Sequence, residues 1–172
     1  MSERLRGQNG FGLIELLMAM VMLNVGLLAV VAAFTSGIWR LARAGAVSTA
    51  SALGDAQMEL YRALPNACIY ITSPPNSGVY AGDSAYSASQ VTSAAACTAI
   101  PVTPPAKATT PSQTVVGPDH HKYEVDTYIV TVTPPSSSTA RTVPQVTVVV
   151  RDGLVTSKVL ARQSSTFDAS TG

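Results

Sequence analysis

Charge is scarce in this sequence, and so is proline in its first part. Only 12% of the 172 residues are charged, and the formal net charge is +1. A chain so close to neutrality lacks the basic surface that binds nucleic acid, so we expect no nucleic-acid partner. No proline occurs before Pro65, although the chain contains eleven. This boundary divides the sequence into two halves of different composition.

Patterns that support catalysis are also lacking. The sequence contains no phosphate-binding loop, no nucleophile elbow and no Cys–His pair in a supporting context. His120 and His121 lie beside Asp119, but adjacent side chains of an extended segment point to opposite faces. Joint metal ligation is therefore disfavoured, and exposed loop residues are expected instead. We expect no enzyme activity, no metal and no cofactor.

A long apolar stretch follows the polar N-terminus. Over residues 16–34 the only polar side chain is that of Asn24, and from Phe11 to Trp39 the only ionisable side chain is that of Glu15. About 20 apolar residues form a helix that crosses the roughly 30 Å hydrocarbon core of a membrane. Two arginines precede the stretch and two follow it closely, so charge alone leaves the orientation open.

The helical pattern continues beyond this stretch. Residues 35–64 contain no proline, and Pro65 then ends the pattern. One helix over about residues 11–64 would be roughly 80 Å long. Apolar residues recur along its outer half, mostly at spacings of three or four, and form a stripe that another part of the protein must cover. They are Ile38, Leu41, Ala42, Val47, Leu53, Ala56, Leu60 and Leu64.

A secretory signal peptide is the alternative explanation of the stretch. Small-residue cleavage patterns do occur, at residues 42–44 and 44–46. The apolar core of a signal peptide has about 7 to 15 residues, however, and this stretch is longer. Cleavage at either position would also cut a helix that continues to Leu64. A retained membrane anchor is therefore favoured.

The residues around Glu15 distinguish a retained membrane anchor from a secretory signal peptide. The segment GFGLIELL, Gly10 to Leu17, resembles the leader junction of type IV prepilins. The resemblance implies cleavage after Gly10 by a prepilin peptidase and N-methylation of Phe11. It also implies that the Glu15 carboxylate pairs with the terminal ammonium of an adjoining subunit. Residues 1–10 would then be the leader peptide.

The resemblance has departures. Gly12 stands where many members of the family carry Thr or Ser, and Ala32 stands near a position where major pilins often have proline. The run LLAVVAAF resembles the minor pilins of the type IV pilus modification (PilV-like) group more than it resembles major pilins.

The C-terminal half is predicted to be rich in β-structure. We expect a short strand at 68–72, a long loop to about residue 117, and strands at 122–133, 145–151 and 154–162, the last two joined at Asp152-Gly153. Cys68 and Cys97 both follow the apolar stretch, so export would favour a disulfide between them. Such a bond would tether the loop and contribute about 3 kcal/mol.

Together these features predict an α+β protein of the pilin type. We expect a leader at 1–10, a helix at 11–64 that crosses the membrane over about 11–36, and a domain at 65–172 packed on the helix as a small antiparallel sheet. The resemblance implies a non-catalytic minor pilin, located in the cytoplasmic membrane with its domain outside and then in the pilus. Its partners would be the prepilin peptidase, other pilin subunits and the pilus assembly machinery. A pseudopilin of a type II secretion or DNA-uptake system and a non-polymerising, signal-anchored adhesin are the alternatives.

Overall fold

The fold combines one long helix with a four-stranded antiparallel sheet. The computed structural model describes residues 12–75, 83, 86–87, 89–133 and 142–168. The chain divides into two compact units, Met1–Arg43 and Ala44–Gly172, called here the N-terminal and the C-terminal unit. In the C-terminal unit the helix packs on the sheet, which confirms the predicted α+β, pilin-like arrangement.

Helix α1 runs over Leu13–Arg62 without interruption and therefore belongs to both units. The absence of proline permits this length, and the chain turns away at Pro65. From Ala50 onward one face of α1 is buried, formed by Ala50, Gly54, Gln57, Met58 and Tyr61.

The buried face differs from the apolar stripe expected from the sequence. Leu53 and Leu60 are only partly buried, and Ala56 is exposed. At the start of the packed part of α1 the contact with the sheet is made by the small residues Ala50 and Gly54. A Cβ added at Gly54 would lie 3.2 Å from Cδ of Gln163. Small residues allow the helix to approach the sheet closely, which a count of large apolar residues does not indicate.

The sheet is an antiparallel meander in the order β1-β2-β3-β4. Its strands are β1 (Ser112–Val116), β2 (Lys122–Val132), β3 (Val143–Asp152) and β4 (Val159–Thr166). Because side chains alternate along a strand, one face of β2 and β3 packs with α1. That face contributes Tyr123, Val125, Ile129, Val146, Val148 and Val150 to the main core.

The region expected to be a long loop contains regular structure. Strand β1 was missed in the sequence; it pairs with β2, Gln113 opposite Val125, and so forms one edge of the sheet. A short helix α2 (Ala106–Thr109) precedes β1. The strand expected at 68–72 is absent, because residues 66–68 form a 3₁₀ turn and the chain continues irregularly.

The β3–β4 connection is longer than the two-residue turn expected at Asp152-Gly153. The backbone N–H of Asp152 donates to the carbonyl of Lys158 (3.1 Å), and that of Lys158 donates to Val155 (2.8 Å). These bonds close a turn over 153–158, so β4 begins at Val159 and not at Leu154. The register between β3 and β4 also shifts between Val150 and Arg151.

Candidate functional site

The start of α1 places an acidic side chain in the first helical turn. Gly12 accepts hydrogen bonds at its carbonyl oxygen from the backbone N–H groups of Glu15 (2.9 Å) and Leu16 (3.2 Å). A carboxylate in this position is favoured by the helix dipole. Gly10 and Phe11, the residues of the expected cleavage and methylation, lie outside the described residues, as does the expected leader. These sites stay predictions.

The N-terminal part of α1 presents a continuous apolar surface. Of the described helices, α1 is the one long and apolar enough to cross a membrane. Its large side chains are exposed along the whole apolar stretch. Leu13 at the start is 80% exposed, and Phe34 at the end is 71% exposed. Glu15 is exposed as well, and its carboxylate has no hydrogen-bond or ion-pair partner among the residues that the structure describes. By length and composition this surface fits the hydrocarbon core of a membrane.

Small residues interrupt this apolar surface. A Cβ at Gly26 or at Gly37 would meet nothing within 4 Å, so both glycines leave room beside the helix. The Thr35 hydroxyl donates to the carbonyl of Val31 (2.9 Å), which satisfies it inside the helix. Small residues and self-satisfied hydroxyls are typical of helices that pack against other helices in a membrane.

The two adjacent histidines lie in the turn between β1 and β2. His120 has a φ of 60°, a left-handed conformation that is uncommon outside glycine. The Nε2 atom of His121 lies 3.5 Å from Oδ1 of Asp152, and its ring makes an edge contact with Tyr123. No group of three potential metal ligands occurs in the described part of the chain.

The two cysteines form a disulfide bond in the C-terminal unit. Cys68 and Cys97 are both buried, and their Cα atoms are 4.6 Å apart. The pairing agrees with the expectation from the sequence. It joins the 3₁₀ turn after α1 to a second 3₁₀ turn at Cys97–Ala99 and encloses the chain between them.

A buried charge network on the other face of the sheet was missed in the sequence. Arg151 donates through Nε to Oδ2 of Asp126 (2.9 Å) and through Nη2 to Asp83. Asp83 also binds Arg162. The side chains of Arg151, Asp126 and Asp83 are 7%, 0% and 3% exposed. The network holds Asp83 against the sheet.

Aromatic residues border this network and share its burial. The Tyr86 and Tyr128 rings meet edge to face, with centroids 5.7 Å apart. Burial raises the pKa of Tyr128 to about 12, because removal from water disfavours the charged phenolate. On the opposite face the hydroxyl of Tyr61 donates to the carbonyl of Ala108, and burial raises its pKa as well. These interactions stabilise the fold of the C-terminal unit. The candidate functional residues therefore lie in the N-terminal unit.

The N-terminal part of the chain matches a known family model. Residues 5–31 match the family model described as the prokaryotic N-terminal methylation motif. No curated protein and no solved structure gives a significant match to the chain. The matched segment includes Gly10, Phe11 and Glu15 and lies wholly within the N-terminal unit.

Proposed function

We propose that this type IV prepilin-like chain is a minor type IV pilin, a non-catalytic subunit that enters the pilus through its N-terminal helix. The observation that carries the proposal is the methylation motif at residues 5–31, which runs directly into the exposed apolar part of α1. Prepilin peptidase processing and membrane anchoring follow from a motif of this kind. The assignment to the pilus and the roles of individual residues are our inference.

Cleavage after Gly10 accounts for the order of the N-terminal features. Glycine lets a protease approach the backbone closely, and the cut precedes the apolar stretch, so the anchor stays on the mature protein. Phe11 becomes the first residue and carries the methylated amine. Mass spectrometry of the chain from cells with an active prepilin peptidase should give an N-terminal methyl-Phe11. An intact leader, or a start near Ala44, would contradict the proposal.

Glu15 acts in assembly because its charge is costly in lipid. A carboxylate within the membrane is normally paired, and α1 offers Glu15 no partner among the described residues. Cleavage creates an ammonium on Phe11 of every subunit. Docking into a filament brings the Glu15 carboxylate of one subunit to the ammonium of another, and both charges are then satisfied. The pairing therefore favours the filament over the isolated subunit.

The Glu15→Ala variant separates anchoring from assembly. We expect normal processing and normal amounts in the membrane, but a strong loss from sheared pili, since the neighbouring ammonium loses its buried partner. The matched control is Glu59→Ala, which removes an exposed carboxylate of the same helix that pairs with Arg62 at the surface. Equal incorporation of both variants would show that Glu15 is merely tolerated.

The location of the mature chain tests the pilus assignment itself. Pseudopilins of type II secretion and DNA-uptake systems carry the same N-terminal motif, so processing does not distinguish the two classes. We expect the processed chain in sheared surface fibres of its host, together with the major pilin. Retention in the membrane, accompanied by a secretion or DNA-uptake defect on deletion, would favour a pseudopilin. Full retention of an unprocessed chain would favour a non-polymerising adhesin.

A further inference from the structure

A groove opens in the C-terminal unit between the edge strand β1 and one flank of α1. Its apolar walls are the side chains of Leu53, Ala56 and Leu60 from the helix and of Val115 and Val125 from the sheet. The volume of the groove is about 220 Å³. Small-molecule sites usually enclose about 300–1,000 Å³, so this groove is better suited to one or two side chains of a peptide. We call it the edge groove.

Strand β1 presents backbone hydrogen-bonding groups along the edge groove. The N–H of Thr127 in β2 donates to the carbonyl of Pro111 (2.8 Å), and the backbone groups of an antiparallel strand alternate in direction from such a pair. Thr114 and Val116 therefore direct their N–H and C=O groups away from β2. Among the residues that the structure describes, no hydrogen bond reaches these groups from the outer side.

Strand β1 lacks the features by which proteins usually protect an edge strand. Its sequence, SQTVV, contains no charge and no proline, and its register with β2 is regular from Ser112 to Val116. Strand β4, at the other edge, contains Arg162, and the register with β3 shifts near its start. Unprotected edges pair readily with further strands. The edge at β1 is therefore the one that favours addition of an extended segment.

One positive charge lies at the rim of the edge groove. Lys107 is exposed, and it is the charged residue among those that line the groove. Its carbonyl accepts hydrogen bonds from the amide nitrogens of Gln57 and Gln113 (both 2.8 Å), which fix it at the N-terminal end of β1. Its ammonium has no ion-pair partner in the part of the chain that the structure describes. A carboxylate on a segment bound in the groove would supply that partner.

We propose that the edge groove binds an extended segment of another protein, which adds to the sheet antiparallel to β1. The backbone of the segment bonds to Thr114 and Val116, and its apolar side chains enter the groove at alternate positions, because alternate residues of a strand share a face. An acidic residue toward its C-terminal end pairs with Lys107. Strand addition combines main-chain bonds with side-chain pockets in this way. The edge groove lies wholly within the C-terminal unit, so this inference does not depend on the pilus assignment.

A fluorescent synthetic hexapeptide, Thr-Val-Thr-Val-Thr-Glu, is the probe for binding to the full chain in detergent micelles. Fluorescence anisotropy measures its dissociation constant. Ala56→Trp fills the groove and should weaken binding about tenfold or more, whereas Ala52→Trp, the matched control at an exposed position of α1 outside the groove, should leave it unchanged. A peptide that ends in Lys should bind about two- to fivefold more weakly, and Lys107→Glu should reverse this preference.

Amide hydrogen exchange tests the strand addition itself. In the free chain the N–H of Thr114 should exchange much faster than that of Val115, which bonds to β2, and bound peptide should slow the exchange at Thr114. Absence of binding, or binding that Ala56→Trp leaves unchanged, overturns the inference. Self-association of the chain without peptide, abolished by Ala56→Trp, would overturn it in favour of a second copy. None of these outcomes involves Glu15, so the proposed function fails or stands separately.

Discussion

Replacement of Arg151 by methionine tests how much the fold depends on its buried charge network. Methionine keeps much of the length and the apolar part of the side chain but removes the guanidinium. The carboxylate of Asp126, fully buried and 2.9 Å from Nε of Arg151, then loses that partner. Asp83 loses Arg151 and keeps Arg162, which weakens its contact with the sheet.

The expected loss is large because the carboxylate stays buried. Removing one partner of a buried ion pair typically costs about 3–5 kcal/mol, which is a large share of the 5–15 kcal/mol that stabilises most domains. At about 4 °C per kcal/mol for a domain of this size, the unfolding midpoint should fall by about 12–20 °C.

Thermal unfolding of the full chain in detergent micelles measures this effect. The near-ultraviolet circular dichroism of the buried tyrosines reports on unfolding of the C-terminal unit. Trp39 lies in the N-terminal unit, so its signal does not report on that unfolding. Arg162→Met is the matched control, since Arg162 also binds Asp83 but its side chain is 38% exposed. It should cost less than about 1 kcal/mol. Equal midpoints for the two variants would refute the argument that burial makes the Arg151 interaction strong.

Two further predictions concern the sheet and its turns. Gly117→Ala should destabilise the C-terminal unit by about 1–3 kcal/mol, because a Cβ there would lie 2.7 Å from Cε2 of Tyr123, whose side chain is fully buried. Gly45→Ala, where a Cβ meets nothing within 4 Å, should be neutral or stabilising in the same denaturation assay. Burial raises the pKa of Tyr128 to about 12, so the stability that its neutral form contributes is complete below pH 10 and is lost as the pH rises toward 12, by at most roughly 3 kcal/mol. Tyrosinate absorbance should show this late titration, and Tyr128→Phe should flatten the loss of stability above pH 10.

The N-terminal half could be predicted in detail because its signals are local. The segment from Gly10 to Glu15 carries the processing motif, and the absence of proline before Pro65 predicts one continuous helix, as found over Leu13–Arg62. The disulfide could be expected as well, because Cys68 and Cys97 are the only two cysteines. Each of these predictions depends only on residues close together in sequence or on the presence of exactly one possible cysteine pair.

The C-terminal half was predicted less well because its structure depends on contacts distant in sequence. Strand β1 has no strong apolar alternation and forms because β2 offers it an edge. Asp83 lies 68 residues from Arg151 and within a segment rich in serine and alanine, so no spacing rule links the two. The available signal was the arginine inside the apolar run VTVVVRD, because a charge buried in such a strand requires a partner.

Two carboxylates show how the same electrostatic rule yields different outcomes in the two units. Asp126 is removed from water by the fold, and the fold itself supplies Arg151. For Glu15 the described residues supply no cation, and in the proposed pilin only the membrane would remove it from water. The first pair is intramolecular, so breaking it lowers the stability of the fold. In the proposed filament the partner of Glu15 would belong to another subunit, and the free energy of that pair would become available only on assembly. Arg151→Met should therefore lower the unfolding midpoint, whereas Glu15→Ala should leave that midpoint unchanged and remove the subunit from pili.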